Sequence, residues 1–145
     1  MSHAIFSCTH RVSYAECTMG NHVYHSRFLD ILERARNEFF RSLNCPFLQL
    51  QAEEVIFPVT HCEMTFRAMA RYDDMLTVEL WVAELGRARF SCVSRIRGQS
   101  GAILHEAVIR FACTNLEGRP RRLPIQVAEA LKKYVAPMNP EESEA

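Results

Sequence analysis

The chain has 145 residues and a formal net charge of zero, with 17 Lys and Arg set against 17 Asp and Glu. That length suits one domain with a real core. The charge balance excludes a global basic field for nucleic acid and a long solvated acidic tail.

In chain order, "IFSCTHRVSY" is rich in β-branched and aromatic residues and predicts a first strand. "YAECTMG" continues as strand until a Gly20-Asn21 break. From the break, with its start around His22 to His25, Tyr24, Phe28, Ile31, Leu32, Ala35, Phe39 and Leu43 recur at three- and four-residue steps. That spacing predicts a long amphipathic helix, stopped before Pro46. "VIFPVTHCEMTFRAMA" reads as a strand in which Pro58 signals an edge or a bulge. "MLTVELWVAEL" alternates Leu76, Val78, Leu80 and Val82 against Thr77, Glu79 and Trp81. "RARFSCVSRIR" and "AILHEAVIRFACTNL" follow across tight turns at Gly86 and "QSG", and "PIQVAEALKKYV" predicts a short helix with Pro124 near its start. Residues 1–137 are expected to form one domain and 138–145 a disordered tail. The elements describe an α+β chain in which one long central helix is wrapped by a curved antiparallel sheet of about five strands. One helix cannot cover both faces of such a sheet, so the free face or edge calls for a partner.

Cys8, Cys17, Cys45, Cys62, Cys92 and Cys113 are scattered without a CxxC pair. With no apolar run of signal-peptide or membrane-span length, they read as reduced thiols of a cytoplasmic protein with neither metal nor cofactor.

The stretch "VSYAECTMGNHVYHSRFLDILERAR", followed in order by "RAMARYDDMLTVE" and "FACTNLEGRPRRLP", resembles the hotdog-fold acyl-CoA thioesterases of the 4-hydroxybenzoyl-CoA thioesterase type, including their YbgC-like branch. The resemblance covers about residues 8 to 134. It implies a hotdog fold, hydrolysis of acyl-CoA or acyl-carrier-protein thioesters, and protomers that join their sheets into a homodimer or homotetramer with active sites between them. No nucleic acid or membrane partner is implied.

The resemblance also places the chemistry. The carbonyl oxygen would sit at the helix start, facing a backbone N–H near His25, where free amides and the helix dipole oppose developing negative charge. His25 matches the histidine of the family's "VYH" segment and could position water or accept a proton. Thr18 stands where the family usually has its catalytic aspartate. A threonine hydroxyl has no charge and can only hydrogen-bond water or substrate, or serve as an ordinary turn residue.

"GNHVYHSRFL" and "HCEMTFRAMARYDDMLTVEL" also resemble the enediyne polyketide thioesterases, which lack the carboxylate and use a helix arginine. Arg36 matches it, with pairing to Glu33 or Asp30 as the plain alternative. The substrate-binding candidates are Gly20, Asn21, His22, Tyr24, Glu33 and Arg71. Gly20 and Asn21 are the residues that tolerate an unusual backbone. Glu16 and Cys17 are weaker candidates for a displaced carboxylate and a nucleophile. Arg67, Arg71, Arg87, Arg89, Arg95, Arg97, Arg119, Arg121 and Arg122 could meet coenzyme A phosphates, and "RPRRLP" is the densest cluster. Two rival readings remain: a non-catalytic acyl-thioester binder, and a hotdog hydratase, whose Asp/His pair at the helix start is not found.

Overall fold

A computed structural model describes residues 3–140. The main sheet has five antiparallel strands, β1 (Phe6–Arg11), β4 (Val59–Phe66), β5 (Met75–Leu85), β6 (Arg89–Arg97) and β7 (Ile103–Ala112), in the order β1-β5-β6-β7-β4. Between β1 and the main helix lie a short 3-10 turn (Tyr14–Glu16) and a two-stranded hairpin of β2 (Cys17–Thr18) and β3 (His22–Val23). The helices are α1 (Arg27–Ser42), α2 (Phe47–Ala52) and α3 (Ile125–Lys132).

α1 forms because Phe28, Ile31, Leu32, Ala35, Phe39 and Phe40 make one buried stripe at helical spacing. Fully burying each large member contributes roughly 1.5–3 kcal/mol. The helix is sixteen residues long, about 24 Å at 1.5 Å per residue. It begins at Arg27, later than the apolar spacing suggested, because His22 and Val23 are held as strand opposite Thr18 and Cys17. At its other end Asn44 takes a left-handed φ of 58°. The Cys45 N–H then returns to the Phe40 carbonyl at 2.9 Å and closes the last turn. Pro46 starts α2, a six-residue helix that the periodicity missed. "YAE" is likewise helical rather than strand, fixed by a capping box in which Ser13 accepts from Ala15 and Glu16 accepts from the Ser13 N–H.

The alternation along β5 holds. Leu76, Val78, Leu80 and Val82 join the core under α1 with Phe90, Cys92 and Ile96 of β6 and Ala107, Ile109 and Phe111 of β7. Trp81 points to the opposite face yet is fully buried. The chain after α3 covers it: Val82 N–H bonds the Tyr134 carbonyl, Ala136 N–H bonds the Val82 carbonyl, and the indole N–H bonds the Pro137 carbonyl at 3.0 Å. Part of the outer sheet face is thus covered by the chain itself. β4 fulfils both meanings of Pro58. It is an edge strand paired only with β7, and its register shifts between Val59 and His61. Seven of its eight residues are exposed. The expected tail at 138–145 lies largely outside the described residues. None of the described helices is long and apolar enough to cross a membrane.

Candidate active site

The β2–β3 hairpin exists to make a sharp reversal. Gly20 and Asn21 both have positive φ, 86° and 60°, the left-handed region open to glycine and tolerated by asparagine. The Asn21 N–H bonds the Thr18 carbonyl at 3.0 Å, which leaves Thr18 and His22 directly opposite one another. Arg71 locks the reversal from outside: its guanidinium donates to the Gly20 carbonyl at 3.0 Å, and its N–H donates to the Asp74 carboxylate at 2.9 Å. The Glu16 carbonyl receives the Tyr24 N–H at 2.9 Å. The Glu16 carboxylate is buried against His10 at 2.9 and 3.0 Å. Glu16 is therefore committed to fastening the hairpin base.

The hairpin opens onto a cavity of about 510 Å³. Thr18, His22, Tyr24 and His25 form one wall, and Phe28, Phe66, Arg67 and Met69 the other. The chain enters α1 here through a turn in which Arg27 N–H bonds the Tyr24 carbonyl at 2.8 Å and Phe28 N–H bonds the His25 carbonyl at 3.4 Å. The backbone N–H groups of His25 and Ser26 have no protein acceptor among the described residues, and Ser26 makes no side-chain cap. Two adjacent free amides thus lie at the positive end of the α1 dipole. The His25 ring rests against the Tyr24 ring, 4.2 Å between centroids, with no carboxylate among the described residues to orient it.

Cys17 lacks the features of an activated nucleophile. Burial and the Glu16 and Asp74 carboxylates hold its thiol above the ordinary value, and its Sγ is turned to the Ser13 carbonyl at 3.7 Å.

Arg36 and Glu33 lie elsewhere. Arg36 pairs with Glu33 and sits over the Phe111 ring, 4.6 Å to its centroid. It lines a separate cavity of about 180 Å³ with Phe57 and Val55. Burial lowers its pKa from the ordinary value. Phe111 pairs with Val59, whereas the His25 cavity meets β4 at Phe66. Within one chain Arg36 and His25 therefore belong to opposite ends of β4. The "RPRRLP" cluster also lies at the far end, where Arg121 bonds the Glu53 and Glu54 carbonyls at 2.8 and 3.1 Å. Arg67 is the one arginine of the expected set on the cavity wall, and it is paired with Glu106 at 2.7 Å.

Sequence reasoning missed the apolar wall of Phe28, Phe66 and Met69. Phe66 carried a readable signal, an aromatic ending an edge strand. Phe28 was read only as core, because a residue under the floor of a cavity has the same spacing as one in a closed interior.

The family profile described as the thioesterase-like superfamily matches residues 12–141. This chain belongs to that superfamily. It is similar to a protein of Escherichia coli O157:H7 named acyl-CoA thioester hydrolase YbgC, 30% identical over 134 residues, covering 92% of this chain and all of the relative. Among solved structures it is similar to the "Probable Thioesterase from Bartonella henselae", 33% identical with a TM-score of 0.78, covering 83% of this chain and all of the other. The dynemicin thioesterase shares the fold, with a TM-score of 0.85 at 18% identity, covering 92% of this chain and 99% of the other. The superfamily's hotdog plan fits the arrangement of α1 against the antiparallel sheet.

Proposed function

We propose that this protein is an acyl-CoA thioesterase. The observation that carries the reading is the pair of adjacent free amides at His25 and Ser26, with His25 lining an apolar cavity. A thioester carbonyl pointed at them would develop its negative charge where two donors and a helix dipole stand ready. One such donor is worth roughly a hundred- to a thousand-fold in rate. The acyl group would lie against Phe28, Phe66 and Met69, and the coenzyme A chain would leave past Arg67. Tyr24 and His25 would wall the reacting end, while Gly20, Asn21 and Arg71 hold the hairpin in shape.

The cavity meets β4 at its Phe66 end, and the outer edge of that strand carries unpaired backbone groups. We place a second protomer there, β4 against β4 across a two-fold axis, giving a dimer that can pair again into a tetramer. An antiparallel pairing brings the Val59 end of one protomer, with Glu33 and Arg36, toward the Phe66 end of the other. Arg36 would then reach a site it cannot reach within its own chain. The six free cysteines support a reducing, cytoplasmic location.

The test is release of free thiol from a panel of acyl-CoAs, with acyl-carrier-protein substrates as a second arm. Saturable turnover of at least one acyl-CoA is expected. Thr18 favours a second reading, a binder without turnover, and tight binding with no thiol release would favour it.

A further inference from the structure

We propose that His22 is the general base of this site, replacing the carboxylate that Thr18 does not supply; the inference rests on the thioesterase reading. The His22 Nδ1 lies 3.2 Å from the Val23 carbonyl oxygen. A carbonyl only accepts, so Nδ1 carries the hydrogen and donates it. Nε2 is then the nitrogen with the free lone pair, the form a base requires. The half-buried ring lines the same cavity as His25, whose backbone N–H is free and adjoins the free Ser26 amide. Thr18 is its cross-strand partner, and directly opposed side chains start about 4.5–5.5 Å apart at their Cβ atoms. The Thr18 hydroxyl has no protein partner among the described residues and is free to hold the same water. A base lost from one side of the hairpin is thus available from the other.

His25 is less suited to the task. Its ring rests tilted against Tyr24, and among the described residues no hydrogen bond selects its tautomer. The charged and titratable groups around His22 are His25 and Tyr24 at the start of α1, Arg67 after β4, and Arg71 with Asp74 before β5.

In the step proposed, Nε2 takes a proton from water as the water oxygen bonds to the thioester carbon. The carbonyl π electrons move to oxygen, facing the His25 and Ser26 amides. When the C=O re-forms, the C–S bond breaks and its electron pair leaves on sulfur. The imidazolium proton passes to that thiolate. The products are the free acid and coenzyme A thiol, with no oxidant or further reactant.

The experiment compares kcat, KM and the pH profile of wild type, His22→Gln, and the double variant Thr18→Asp/His22→Gln on whichever acyl-CoA the wild type turns over. Glutamine keeps a polar group near Nε2 but cannot take the proton. His22→Gln should lower kcat by about a hundredfold or more, move KM little, and abolish the acid limb of the profile. His25→Ala should keep that limb. Adding Thr18→Asp to His22→Gln should restore turnover, which a merely structural role for His22 would not allow. His22→Asn, with circular dichroism on each variant, guards against a folding defect. Wild-type-like kcat with the acid limb intact in folded His22→Gln overturns the role of His22 alone. No turnover of any acyl-CoA by the wild type overturns the thioesterase reading and this inference with it.

Discussion

The departure at Thr18 is a matter of a single functional group, and its consequences divide between neighbouring residues. A threonine hydroxyl can hold water but cannot draw off its proton. Thr18→Val keeps the shape and removes the hydrogen bond, so kcat should fall about two- to tenfold, the value of one ordinary hydrogen bond; an unchanged rate would remove Thr18 from the water site. In the proposed site His25 would contribute through its main-chain amide, which a side-chain substitution leaves in place. His25→Ala should therefore reduce kcat/KM by less than about tenfold, about 1.4 kcal/mol, and a loss comparable with that of His22→Gln would return the base to His25. Both substitutions are read by steady-state kinetics. The residue types at the site were legible in the sequence, because "GNHVYH" puts turn formers and imidazoles side by side. Which imidazole has its tautomer set by a hydrogen bond was not legible. That depends on the Nδ1 contact with a carbonyl one residue away, a matter of rotamer and not of spacing.

Among the elements, β7 carries a histidine with a different physical role. His105 is completely buried, stacked on Phe28 at 4.5 Å and set edge-on to Phe66 at 4.9 Å. Neither ring nitrogen has a hydrogen-bond partner among the described residues. Burial pushes its pKa down from 6.5 to about 4, with Glu106 opposing. Above pH 6.5 the ring is neutral both folded and unfolded, so it adds no pH dependence there. As pH falls below that, the unfolded chain takes the proton first and stability is lost, until the folded form protonates near pH 4. At about 1.4 kcal/mol per pH unit the loss approaches roughly 3 kcal/mol. Thermal melts should show Tm falling from pH 7.5 to pH 5, and His105→Leu should flatten that dependence. Equal slopes for both proteins would exclude His105 as the source. The helix and strand content was readable because α1 and β5 obey their periods. The two-residue strands, the "YAE" turn and α2 were not, since two to six residues are too few to display a period and their shapes come from Glu16 and Asn44 contacts.

At the scale of the whole molecule, the reading depends on what covers β4. Sequence predicted an edge there through Pro58, but only the register shows that Arg36 and His25 sit at opposite ends of it. That separation is what a two-fold partner would close. Cys62, exposed near the middle of β4, probes it. Burial raises its thiol pKa, and the Arg36 cation opposes that rise. Cys62→Arg places charge on the edge and should convert the assembly to monomers in sedimentation at micromolar concentration, with hydrolysis reduced at least about tenfold. A wild type that sediments only as a monomer would refute the assembly.

In the proposed mechanism the amides that open α1 hold the thioester carbonyl. A crystal structure with an acyl-CoA analogue whose sulfur is replaced by NH tests it most directly. The carbonyl oxygen should lie about 3 Å from the His25 and Ser26 nitrogens, with the acyl chain against Phe28 and Phe66. An analogue bound with its carbonyl away from those two amides would contradict the account.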